Sequence, residues 1–117
     1  MTIEELQNLV SEFSARRDWE RFHTPKNLVM ALTGEVGELA EIFQWLTPEQ
    51  SMELGDDTQG RVRVEEEVAD VLIYLMRLAS VLDINLAAAV QAKLKLNEQR
   101  YPADLARGRA VKYSELG

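Results

Sequence analysis

The chain is 117 residues long, 46% hydrophobic and 28% charged, with a net charge of −7 at neutral pH and no cysteine. That length suits one core, and the balance of apolar and charged residues is far from that of a disordered chain. The acidic charge argues against a nucleic-acid polymer as partner, which needs basic surface to displace phosphate counterions, and the lack of cysteine excludes disulfides, thiolate metal sites and cysteine nucleophiles.

Four helices are predicted. The first runs from about Thr2 to Arg16, with Thr2 as its cap and Ile3, Leu6, Val10 and Phe13 as a narrow apolar stripe. The segment RDWERFH that follows is too short for an element of its own. The second helix opens at Thr24-Pro25, a cap followed by proline at the first helical position, and stops near Thr47-Pro48. Its only consistently polar line is Gly34, Gly37, Glu41 and Gln44, so the other faces are expected to be packed. From Thr47 to Gly60 runs a loop rich in Pro, Gly, Asp and Gln, with a short turn at Glu49 to Leu54, and it is a candidate lid. The third helix, about Val62 to Leu82, carries the seam Val64, Val68, Val71, Leu75, Leu78 and Leu82. The fourth begins after Asp83-Ile84-Asn85 and runs to Tyr101, where Pro102 stops it, and the tail from about residue 103 to 117 is less regular. Amphipathic helices of this number make an all-α four-helix bundle, with residues 1–117 as one domain, the most economical architecture. No run approaches the roughly 18 apolar residues that span a bilayer, and MTIEELQNLV has no basic-then-apolar leader pattern, so the expected location is cytoplasmic, with no membrane partner.

The second helix carries glutamates where its core should be. Leu28, Leu32, Leu39, Ile42 and Leu46 follow the spacing of a helix seam, yet Glu35 fills the missing slot and Glu38 stands about one turn on. On the third helix Glu67 and Asp70 are three apart and flank Val68 and Val71. Two such helices side by side converge four carboxylates, which cannot all ionise a few ångströms apart without a cation. Oxygen-only ligands select Mg²⁺ or Mn²⁺, hard ions that also grip phosphates. Metal-dependent phosphoryl or nucleotidyl hydrolysis is therefore the first reading of the spacing. The bland alternative is a set of solvated helix faces, which is how Glu65 and Glu66 are read. A di-iron site needs two Glu-x-x-His pairs, and the single histidine, His23, lies in neither helix. There is no GxxxxGK[ST] P-loop and no second histidine to share roles in a serine triad.

The segments RDWERFHTPKNLVMALTGEVGELAEIFQW, EEEVADVLIYL, KLNEQRYP and ARGRAVKYSEL resemble the MazG-like all-α nucleotide pyrophosphohydrolases, within them the dCTP pyrophosphatase branch. The resemblance implies Mg²⁺-dependent cleavage of a nucleoside triphosphate between its α- and β-phosphates, giving the monophosphate and pyrophosphate. It also implies a homo-oligomer, a tetramer ahead of a dimer, and assigns Glu35, Glu38, Glu67 and Asp70 as metal ligands. Trp19, His23, Trp45 and Tyr74 match the branch's base-recognition motifs: flat rings stack on a base, and a histidine hydrogen-bonds its edge or sugar. Lys93, Asn97 and Arg100 line one side of the fourth helix at spacings of four and three, with Arg109 and Lys112 following, as donors for the phosphates or as a solvated basic face. The expected mechanism is in-line attack of water on the α-phosphorus, with Glu38 orienting and deprotonating that water and Glu35 beside it as the second catalytic carboxylate. Two rivals stand: a broad house-cleaning enzyme for non-standard nucleotides, and a non-enzymatic helical interaction module whose acids hold metal for structure alone. The preference for dCTP or a modified dCTP is carried by the resemblance.

Overall fold

A computed structural model describes residues 1–116; Gly117, the end of the expected tail, lies outside the described residues. Every regular element among them is helical: α1 (Ile3–Arg16), α2 (Pro25–Phe43), α3 (Pro48–Glu53), α4 (Thr58–Val81), α5 (Leu86–Arg100) and α6 (Ala103–Ala106), with single 3₁₀ turns at Glu20–Phe22, Leu54–Asp56 and Tyr113–Glu115. The protein is all-α, as the sequence predicts.

Caps set the boundaries. The Thr24 hydroxyl accepts from the Asn27 N–H and Pro25 occupies the first turn, which starts α2 where expected. The end of α2 comes earlier, at Phe43, because Thr47 and Pro48 start α3: the Thr47 hydroxyl accepts from Gln50 N–H at 3.1 Å and Gln50 Oε1 accepts from Thr47 N–H at 2.9 Å. The short turn expected inside the loop is thus a capped helix. Helix α4 starts at Thr58 rather than Val62, because Asp57 Oδ2 accepts from Gly60 N–H at 3.0 Å. Its polar first turn has no apolar periodicity to show it. At Gly60 a Cβ would stand 2.5 Å from Leu54 Cδ1, so any side chain there would require the Leu54 side chain to move as the Leu54–Asp56 turn closes on α4. Helices α1 and α4 end alike, with Asp18 and Asp83 in the left-handed region at φ 55°. In each, the next residue's N–H reaches back, Trp19 to the Ser14 carbonyl at 3.1 Å and Ile84 to the Ala79 carbonyl at 2.8 Å.

The chain divides into two compact units, Met1–Ile84 and Asn85–Gly117. In the first, α4 packs most extensively along α2 and also against α1. Its buried apolar side chains are Leu28, Met76 and Ala79, a thin core for three long helices. The expectation that α2 is packed on all but one polar line is corrected: Val29, Met30 and Val36 are exposed. On α4, Val68, Leu75 and Leu82 of the predicted seam are exposed too, while Met76, Arg77 and Ala79 are buried. Apolar spacing records which faces call for cover, not which neighbour supplies it. In the second unit Arg100 lays its guanidinium over the Tyr113 ring, 4.9 Å from the centroid, and Tyr101 meets the same ring edge-on.

Candidate metal and nucleotide site

Pairing of α2 with α4 brings GEVGE and EEEVAD together. Glu35, Glu38 and Glu67 each offer a carboxylate oxygen within 4.8 Å of the others. Oε2 of Glu35 and Oε2 of Glu67 are shut off from water, and neither has a hydrogen-bond partner. Glu38 is exposed and lines an acidic cavity of about 370 Å³ with Glu41, Arg63, Glu66 and Glu67. Desolvation, followed by the neighbouring Glu38 and Asp70 charges, pushes Glu35 from 4.5 up to about 7. Desolvation raises Glu67 as well, with Glu38 and Asp70 adding to it. Asp70 therefore acts on both carboxylates electrostatically, although it stands outside the group of three.

This donor set fits a hard divalent cation. Oxygens orphaned from water and from protein donors are what a positive ion supplies best, and no sulfur or imidazole is among them to favour a softer metal. A solvated-face reading accounts for Glu65 and Glu66, both exposed, but not for the occluded oxygens of Glu35 and Glu67.

A second cavity, of about 120 Å³, is lined by Trp19, His23 and Tyr74, three of the four aromatic groups singled out in the sequence, together with Val10, Phe13, Ser14, Ile73 and Arg77. The Trp19 and His23 rings meet edge-on at 6.3 Å, and Phe13 packs edge-on against Trp19 at 5.8 Å. The turn at Glu20–Phe22 places these rings, so RDWERFH does form an element of its own. Trp45 is 86% exposed just past α2 and is not among the lining residues. Glu67, Asp70, Tyr74 and Arg77 follow one face of α4 at steps of three, four and three, which puts Glu67 and Tyr74 about 10 Å apart along the axis. An acidic end and an aromatic end thus share one helix face. Lys93, Asn97 and Arg100 lie on α5 in the second unit, Lys93 exposed and the other two half-buried.

Sequence reasoning missed Arg77. It is buried, donating from Nε to His23 Nδ1 at 3.0 Å and from Nη1 to Ser11 Oγ at 3.4 Å. A single cation inside the apolar run VLIYLMRLAS was the signal available.

An all-α chain with a carboxylate cluster between two helices and an aromatic cavity further along is the class these features define. Residues 31–116 match the MazG-like family, and the chain belongs to it. Among similar proteins are dCTP pyrophosphatase 1 of Homo sapiens, 50% identical over 115 residues, and that of Rattus norvegicus, 48% identical over 115 residues. Each alignment covers 98% of this chain and 68% of the relative. The crystal structure of a pyrophosphatase from Archaeoglobus fulgidus DSM 4304 superposes with a TM-score of 0.78 at 46% identity, over 85% of this chain and 91% of that one.

Proposed function

We propose that this protein is a nucleoside triphosphate diphosphatase that hydrolyses dCTP, or a modified dCTP, to the monophosphate and pyrophosphate, clearing the nucleotide pool of the cytoplasm. The observation that carries the reading is the pair of occluded, unpartnered oxygens of Glu35 and Glu67 beside Glu38, in a chain half identical to a dCTP pyrophosphatase.

Glu35, Glu38 and Glu67, with Asp70 behind them, would hold Mg²⁺, or Mn²⁺ in its place. Bound there, the ion supplies polarisation of the phosphoryl oxygens and neutralises charge on the leaving pyrophosphate. The protein's own residues do the rest. Glu38, the exposed member, orients a water and accepts its proton as that water attacks the α-phosphorus in line and the bond to pyrophosphate breaks. Glu35, three residues before Glu38 on α2, is the second catalytic carboxylate. Trp19 and Tyr74 flank the base and His23 hydrogen-bonds it; Trp45, outside this cavity, has only its aromatic character to support a role in holding the base. Lys93, Asn97 and Arg100 on α5 are the candidate phosphate donors by residue type.

The exposed apolar faces of α2 and α4 support a homo-oligomer; a tetramer ahead of a dimer, a four-helix-bundle arrangement and residues 1–117 acting as one MazG-like domain rest on the family resemblance. Incubation with Mg²⁺ and each of the four dNTPs plus CTP, with products resolved by ion exchange, tests the activity. Monophosphate and pyrophosphate with dCTP fastest is the expected result. Equal turnover of several bases would move the protein to broad house-cleaning, and no turnover with Mg²⁺ or Mn²⁺ would leave a metal-binding interaction module.

A further inference from the structure

A neutral imidazole offers one donor and one acceptor, and its partners decide which nitrogen is which. For His23 the partner is Arg77, whose Nε donates to Nδ1 at 3.0 Å. A guanidinium does not give up its proton in a protein, so Nδ1 is the acceptor of this bond and carries no hydrogen. The ring proton then sits on Nε2.

Arg77 is an expensive residue to spend on an incidental contact. It lies in the buried part of α4 with Met76 and Ala79, and among the described residues no carboxylate comes within ion-pair distance of it. A buried charge without a counter-ion is strongly unfavourable unless its donors are used. Here they go to His23 and, at 3.4 Å, to Ser11 Oγ. Arg77 and His23 also line the same cavity as Trp19 and Tyr74, so the pair sits at the aromatic end of the α4 face that carries the carboxylates at its other end. Burial and then the Arg77 charge hold His23 below its ordinary 6.5, against the opposing Glu20 on its own turn; Tyr74 is the other titratable group lining the cavity.

We propose that Arg77 is a positioning residue for base recognition, locking His23 as the neutral tautomer protonated at Nε2 so that the cavity presents a fixed donor to an acceptor on the edge of the base. The inference rests on the nucleotide reading of the site. Cytosine offers N3 and O2 as acceptors, whereas thymine and uracil carry an N–H at position 3. A donor that cannot switch to an acceptor matches the first at N3 and opposes the others there.

Because the chain has one histidine, long-range ¹H–¹⁵N correlation of the imidazole reads His23 without assignment ambiguity. The wild-type protein should show a single species, protonated at Nε2 and bare at Nδ1, down to below pH 6.5. Arg77→Met keeps the aliphatic bulk but removes the donor. It should give a tautomer mixture and raise KM for dCTP about 10-fold, with kcat less affected. Arg77→Lys, which still donates, should recover part of both. A mixed or Nδ1-protonated ring in the wild type overturns the proposal without reference to any variant's folding. So does an Arg77→Met protein that keeps the single tautomer, or one that loses it with KM unchanged. If the wild type turns over no nucleotide, the substrate reading fails and base recognition fails with it, while the nitrogen spectrum still decides whether Arg77 sets the tautomer.

Discussion

Glu35 on α2 and Glu67 on α4 face each other with one oxygen apiece closed off from water and from every protein donor. Helix packing has placed them there against their own electrostatics. In the metal-free chain Glu35 keeps its proton up to about pH 7, against an ordinary 4.5. Between those values the folded state binds the proton and the unfolded state does not, so stability falls as pH rises through the window and the full loss is reached above pH 7. Thermal melting in EDTA should therefore give a lower Tm at pH 8 than at pH 5. Saturating Mg²⁺, which binds the ionised cluster, should raise Tm more at pH 8 than at pH 5. A Tm independent of pH in EDTA and of Mg²⁺ at pH 8 would remove the cluster from any metal role.

Glu35→Gln and Glu38→Gln should separate burial from chemistry. Each is expected to lower kcat/KM about 10²–10⁴-fold while the far-UV circular dichroism stays helical. Their metal-free stabilities should differ. Glu35→Gln removes a charge from the occluded position and should raise Tm at pH 8, whereas Glu38 is exposed and its replacement should change Tm little. Wild-type turnover in either variant takes that residue out of the mechanism.

Val68, Leu72 and Leu75 form an exposed apolar stripe on α4, Val68 at 48% of its full exposure. Light scattering coupled to size exclusion should find a species heavier than the 13.3 kDa monomer, and Leu72→Glu, which buries a charge in any interface on this stripe, should shift it toward the monomer. A monomeric wild type would show that the stripe is uncovered in solution.

Asp83 ends α4 at φ 55°, where a side chain costs energy that glycine avoids. Asp83→Gly should stabilise the fold by about 0.5–1 kcal/mol, the relief of strain being partly offset by the freer unfolded chain. The midpoint of a urea titration measures it, and a lower midpoint would mean that the aspartate side chain contributes more than its backbone costs.

Much of this protein was legible before any packing was known. Thr24-Pro25 starts α2 because a hydroxyl cap and a proline at the first helical position act within one turn, and the Thr2 hydroxyl caps α1 as expected, whereas Thr47-Pro48, expected as the stop of α2, caps α3. The three-residue spacings of Glu35 with Glu38 and Glu67 with Asp70 fixed a shared helix face for each pair, because helix geometry is local. What the tertiary structure decided depends on which helix lies beside which. The pairing of α2 with α4 closed water off from Glu35 and Glu67 while leaving Glu38 open, and it placed Asp70 outside the group of three. Packing of α4 against α1 and the Glu20–Phe22 turn put Arg77 on His23, 54 positions away in sequence, where it sets the imidazole's proton. A periodic pattern states that a face must be covered; the free energy of burial, summed over neighbours distant in sequence, selects the cover.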